Sequence, residues 1–194
     1  MTDVPTTTGT PSEPPAADGP RRRLAPFVAI AVALVLVGFV VVLATSKGGT
    51  TDSARTPLIG RPAPVVQTAT IDGTPFDLAT RRGSWVVLNF FATWCPPCRA
   101  EIPAIERLHT QYGSKGLTVL AVSLDEGGWD EVKSFATEHK ISYTVLRGTE
   151  DVSAKYMVRL IPSMFLIDRQ GNIMKQYMGG GNVEAVEQEI KALL

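Results

Sequence analysis

Cysteine and histidine are scarce, with two of each in 194 residues. Two thiols permit at most one intramolecular disulfide, which excludes a disulfide-stapled scaffold, and they cannot supply a four-thiolate zinc site. His109 and His139 lie too far apart in sequence to act as a zinc-binding His pair. Neither sign of charge dominates, because 19 Lys+Arg face 19 Asp+Glu. A protein that tracks phosphates carries a clustered basic surplus, so a nucleic-acid partner is not expected. No internal repeat is visible, and nothing in the composition asks for a metal or a cofactor.

Hydrophobicity is unevenly spread. Residues 1–20 hold Pro5, Pro11, Pro14, Pro15 and Pro20 among Thr, Ser, Gly and Asp. Such a segment cannot bury enough apolar surface to offset its ordering entropy, so residues 1–23 are expected to be a disordered tail ending in Arg21, Arg22 and Arg23. Residues 24–44 then run without a charged or strongly polar side chain. At about 1.5 Å per helical residue this run matches the hydrocarbon thickness of a bilayer, roughly 30 Å, and predicts a transmembrane signal-anchor helix. Val42-Leu43-Ala44 has the form a signal peptidase accepts. The run is nevertheless longer than a signal-peptide core of about 7–15 residues, which favours an uncleaved anchor. The three arginines outweigh Lys47 and Arg55 on the other flank, so the tail is expected in the cytoplasm and the C-terminal part outside the cytoplasmic membrane. Residues 45–57, rich in Thr, Ser and Gly, read as a flexible linker.

From residue 58 to 194 the pattern is that of an α/β domain. Residues 65–70 and 75–78 flank Asp72-Gly73 and predict a hairpin. The nearly unbroken apolar runs 85–91 and 117–124 predict strands buried on both faces. Helical spacing marks 97–112, 129–139, 151–157 and 183–194, and shorter strands are expected over 143–146, 164–168 and 173–177. The expected architecture is a mixed central sheet with helices on both faces.

The two cysteines fall at the first strand-to-helix junction, as Trp94-Cys95-Pro96-Pro97-Cys98. A Cys-x-x-Cys at a helix start places its first sulfur where free N–H groups and the helix dipole favour thiolate. The second sulfur sits one turn on, within reach of a mixed disulfide formed by the first. Cys95 is therefore the candidate nucleophile and Cys98 the resolving thiol. A zinc half-site lacks a second Cys pair. A purely structural bridge over so short a loop would constrain little of the unfolded chain.

The segment 88–103, LNFFATWCPPCRAEIP, resembles the thioredoxin fold, specifically the membrane-tethered thiol-disulfide oxidoreductases of ResA, TlpA and CcmG type. So do Gly60-Arg61-Pro62-Ala63-Pro64 and the segment 160–168, LIPSMFLID. The resemblance implies that Pro162 is the cis-proline facing the cysteines and that Ile161 offers its backbone to an extended substrate. It implies that Trp94 is the active-site tryptophan and Glu101 the acidic residue one helical turn beyond Cys98. Asn89 and Ala121 stand where cytosolic thioredoxin has a buried Asp and a Lys, leaving Glu101 as the nearest acidic group. The Pro-x-x-x-Thr-x-x-Cys pattern of peroxiredoxins fails, since Leu88 and Ala92 occupy its Pro and Thr positions.

The resemblance further implies an extracytoplasmic enzyme reducing disulfides in exported proteins, with apocytochrome c before haem attachment the leading candidate in cytochrome c maturation. A membrane-embedded electron donor would recharge it. Two rival readings are an oxidant that installs disulfides in exported proteins and a module in which Cys95 and Cys98 carry copper to an oxidase.

Overall fold

The computed structural model describes residues 30–39 and 56–194, and the chain divides into two units, Met1–Gly49 and Thr50–Leu194. In the first unit, residues 30–39 form a helix, α1, with exposed side chains. Among the described residues no helix is long and apolar enough to cross a membrane. The rest of the expected 24–44 span, the tail over 1–23 and most of the 45–57 linker lie outside the described residues.

The second unit is built on a five-stranded sheet. Its strands are β3 (Trp85–Phe91), β4 (Leu117–Ser123), β5 (Thr144–Arg147), β6 (Ser163–Ile167) and β7 (Ile173–Met178), in spatial order β5-β4-β3-β6-β7. β3, β4 and β5 are parallel; β6 and β7 run antiparallel to their neighbours. A separate hairpin of β1 (Gln67–Ala69) and β2 (Pro75–Asp77) precedes them, turning at Gly73 with φ 91° as the Asp-Gly pair requires. Helices α2 (Pro96–Tyr112), α3 (Trp129–Glu138), α4 (Glu150–Lys155) and α5 (Val183–Leu193) complete the fold. Every element expected over 58–194 is present, with ends displaced by at most two residues.

The pleat sorts side chains into two cores. Val87, Phe91, Val119, Ala121, Met164 and Leu166 face α2, α3 and α5, and both cysteines belong to this layer. Val86, Leu88, Phe90, Leu120, Phe165 and Ile167 face the other way, against α4 and the N-terminal hairpin. There Phe90, Tyr156 and Phe165 form a mutual aromatic cluster with centroids 5.0–5.8 Å apart. Each such pair contributes on the order of 1 kcal/mol beyond simple burial. The Tyr156 hydroxyl donates to the Pro64 carbonyl at 2.9 Å and pins the entering chain to this face.

The ends of the parallel strands are tied by backbone contacts that place the cysteine loop. Leu124 N–H donates to Phe91 O, and Gly148 N–H donates to Ser123 O, both at 2.8 Å. A Cβ on Gly148 would overlap that same Ser123 oxygen and stand 2.9 Å from Leu124 Cδ2, so only glycine lets the two strand ends approach this closely.

Candidate functional site

β3 ends at Phe91 and α2 begins at Pro96; Cys95 is the last of the four residues between them and Cys98 lies in the first turn of the helix. Cys95 is the N-cap of α2, in extended conformation, with prolines in the first helical turn. Proline suits this turn because its missing N–H would find no intrahelical acceptor there. The helix continues through Pro103, which forgoes one internal hydrogen bond.

Cys95 and Cys98 are joined in a disulfide, with Cα atoms 5.3 Å apart. Both residues are almost wholly buried. Cys95 Sγ accepts a hydrogen bond from Cys98 N–H at 3.3 Å. The intervening residues are both proline, so Cys98 supplies the first helix N–H able to reach this sulfur.

The Ile161-Pro162 peptide bond is cis, as the resemblance implied. The Ile161 carbonyl oxygen lies 4.0 Å from Cys95 Sγ. Trp94, next to Cys95, is 67% exposed and Leu160 is 56% exposed. The six residues expected at the site, Trp94, Cys95, Cys98, Glu101, Ile161 and Pro162, thus come from one strand-to-helix loop, the helix after it and the loop before β6.

Glu101 is not the solvated helix carboxylate that its sequence position would ordinarily suggest. It is only 6% exposed. Its Oε1 accepts from Gly181 N–H at 2.7 Å and from Asn182 N–H at 3.4 Å, while buried Oε2 has no hydrogen-bond partner. Burial raises its pKa above the ordinary carboxylate value; the two backbone donors oppose the rise, and Glu184 adds to it. A carboxyl group whose pKa is raised by burial, one helical turn from a thiol, is suited to exchange a proton with that thiol.

The run Gly179-Gly180-Gly181 explains how the backbone reaches Glu101. Gly179 and Gly181 have φ of +79° and +86°, and a Cβ on Gly180 would stand 3.2 Å from Pro97 Cβ. Gly179 N–H also donates to Pro162 O at 2.8 Å, so this loop touches both the cis-proline and the cysteine helix. Behind the site Asn89, 3% exposed, pairs in register with Ala121, and its Oδ1 is buried without a partner. The positions of thioredoxin's internal Asp and Lys are therefore occupied by groups that carry no charge.

Elsewhere in the domain, Trp85 and Trp129 pack against the core, with the Arg147 guanidinium 5.4 Å from the Trp129 ring centroid. Among the described methionines only Met164 is core, Met157 and Met174 being 39% and 45% exposed. Among the described residues no three of His, Cys, Asp or Glu gather to hold a metal. Sequence reasoning missed Asp125, which accepts from Thr93 in the cysteine loop, and Ser123, which holds Asp125. Their only signal is a Ser-x-Asp at the end of a buried strand.

Residues 59–176 match the AhpC/TSA family. The thioredoxin-like protein YneN of Bacillus subtilis is 33% identical over 133 residues, covering 68% of this chain and 78% of that protein. The thiol-disulfide oxidoreductase ResA of Bacillus thuringiensis is 31% identical over 136 residues, covering 70% and 78%. Among solved structures, a thiol:disulfide interchange protein of the thioredoxin family from Chlorobium tepidum superposes with a TM-score of 0.63 at 30% identity, covering 72% of this chain and 98% of that one. With its thioredoxin-like fold and its paired cysteines at the start of α2, the chain belongs to the AhpC/TSA family and is one of its thioredoxin-fold thiol-disulfide oxidoreductases.

Proposed function

We propose that this thiol-disulfide oxidoreductase acts outside the cytoplasmic membrane as a reductant of disulfides in exported proteins, apocytochrome c before haem attachment foremost. The apolar run over 24–44 and its arginine flank support an anchor with the catalytic domain outside. A relative named ResA supports the reaction class.

The reaction starts from the reduced pair. Cys95 thiolate attacks one sulfur of the substrate disulfide, forming a mixed disulfide and releasing the other substrate sulfur as thiolate. Cys98, deprotonated with Glu101 as the nearest proton acceptor, then attacks Cys95 Sγ, frees the second substrate thiol and leaves the Cys95–Cys98 disulfide. Two electrons have passed to the substrate, and a donor dithiol must return them. An extended substrate would lie along Ile161-Pro162, beside exposed Trp94 and Leu160.

The observation that carries the reducing direction is the Pro96-Pro97 pair. Strong oxidants of this fold owe their potential to an unusually stable thiolate, and the two prolines remove two N–H groups that would stabilise it. The deciding experiment is equilibration against dithiothreitol or glutathione. A potential near thioredoxin's, about −270 mV, supports a reductant, and one near DsbA's, about −120 mV, would assign the oxidant role instead. A Cys98→Ala variant should trap its substrate on Cys95, and cytochrome precursors should dominate the trapped proteins.

A further inference from the structure

The chemistry above leaves one polar cluster beside the cysteine loop unused. Asp125, just beyond β4, accepts from Thr93 N–H at 3.1 and 3.2 Å, from the Thr93 hydroxyl at 2.6 Å and from the Ser123 hydroxyl at 2.7 Å. Its own N–H donates back to Ser123 Oγ at 3.3 Å. Ser123 is fully buried and sits in the β4 ladder, so the carboxylate is fixed to a rigid strand and grips a residue 32 positions earlier.

The grip falls on the residue before Trp94. Cys95 has anchors of its own, because its N–H donates to Ala92 O at 3.2 Å, its carbonyl accepts from Arg99 N–H at 3.1 Å and its sulfur faces Cys98 N–H. Trp94 projects into solvent, so its placement depends on Thr93. Thr93 and Trp94 form one wall of a groove of about 530 Å³ whose other side is Ser134, Phe135 and Glu138 of α3. Arg99 lies on the groove with its guanidinium 5.8 Å from the Phe135 ring centroid.

We infer that Asp125 is a positioning residue for substrate binding: through Thr93 it sets Trp94 and one wall of the groove beside Cys95, where it orders the polypeptide flanking the target disulfide without acting on the thiol. The inference rests on the oxidoreductase reading and specifies which residues of that site hold the substrate. Losing hydrogen bonds to a charged acceptor costs enough to change an equilibrium about tenfold.

Steady-state reduction of insulin with dithiothreitol as donor tests it. Asp125→Ala should raise KM about tenfold while kcat and the rate of Cys95 alkylation by iodoacetamide stay within about twofold. Asp125→Asn, which still accepts from Thr93, should recover most of the loss. In a Trp94→Ala background Asp125→Ala should add nothing, because the two act as a unit. Thr93→Val, which removes only the hydroxyl, carries the same test should Asp125→Ala fail to fold. An unchanged KM, a parallel fall in kcat and alkylation, or additive effects with Trp94→Ala would overturn the inference. A wild-type protein unable to reduce insulin would instead refute the oxidoreductase reading itself.

Discussion

Reducing the Cys95–Cys98 bond should destabilise the fold, and the size of the change reports the direction of the enzyme. The bond joins residues three apart and so closes a four-residue ring. In the chain-entropy account, cross-linking four residues removes about 6 cal/mol/K from the unfolded state, or about 1.9 kcal/mol at 25 °C. The opposing contribution is whatever the reduced fold gains by stabilising the Cys95 thiolate. Cys98 N–H is the donor to that sulfur, and because sulfur is a weaker acceptor than oxygen and the contact is 3.3 Å long, this one bond is worth about 1 kcal/mol, below the range for charged oxygen acceptors. The oxidised form should then be more stable by about 1 kcal/mol, which corresponds to a Tm higher by about 4 °C for a domain of this size. Because folding and redox equilibria share one cycle, the same difference makes the native disulfide about 20 mV harder to reduce than the same pair in the unfolded chain. Urea unfolding followed by circular dichroism, with and without a phosphine reductant, measures the difference directly. A reduced form more stable than the oxidised one would refute the argument, since it would require thiolate stabilisation that the two prolines cannot supply.

Other outcomes follow from the same geometry. Cys95→Ser should abolish exchange, whereas Cys98→Ser should still form mixed disulfides and fail to resolve them; gel shifts with a maleimide reagent distinguish the two. Because burial raises the Glu101 pKa, the fold binds its proton more tightly than the unfolded chain does. Its contribution is therefore complete below the unfolded carboxyl pKa and is lost as pH rises through the raised folded value, with a slope no steeper than about 1.4 kcal/mol per pH unit. Glu101→Gln should remove that slope and shift the pH profile of cysteine alkylation; identical profiles would make Glu101 a purely structural acceptor. Gly148→Ala should cost about 3 kcal/mol in urea unfolding, because its methyl group would overlap Ser123 O, and a loss under about 1 kcal/mol would show that the strand ends can part.

The fold was legible where one physical signal dominated. The nearly unbroken apolar runs of β3 and β4, rich in β-branched and aromatic residues, fit strands covered on both faces, and Pro96-Pro97 fits the first turn of a helix, so these elements were readable almost to the residue. Ends shifted where capping decided them: Thr149 caps α4 by accepting from Val152 N–H, which starts that helix one residue before its apolar pattern does. The cysteine pair was legible because its spacing is its chemistry. Glu101 was harder, since helical periodicity places it on a face but gives no account of the glycine loop that buries it. Asp125 was illegible for the same reason: its partner lies 32 residues away, and a contact between the ends of two parallel strands leaves no periodic trace.

The glycine loop over 179–181 has a consequence for variation in this protein. At Gly180 the clearance to Pro97 amounts to less than one methyl group, so chain thickness at this point gauges the spacing between the α5 entry and the cysteine helix. A side chain there would push on Pro97, between the two sulfurs, and on the loop that supplies both donors to Glu101. Substitutions at residue 180 should therefore register first as altered thiol acidity and only secondarily as lost stability, so that a segment with the composition of a linker works as a tuning screw for the redox couple.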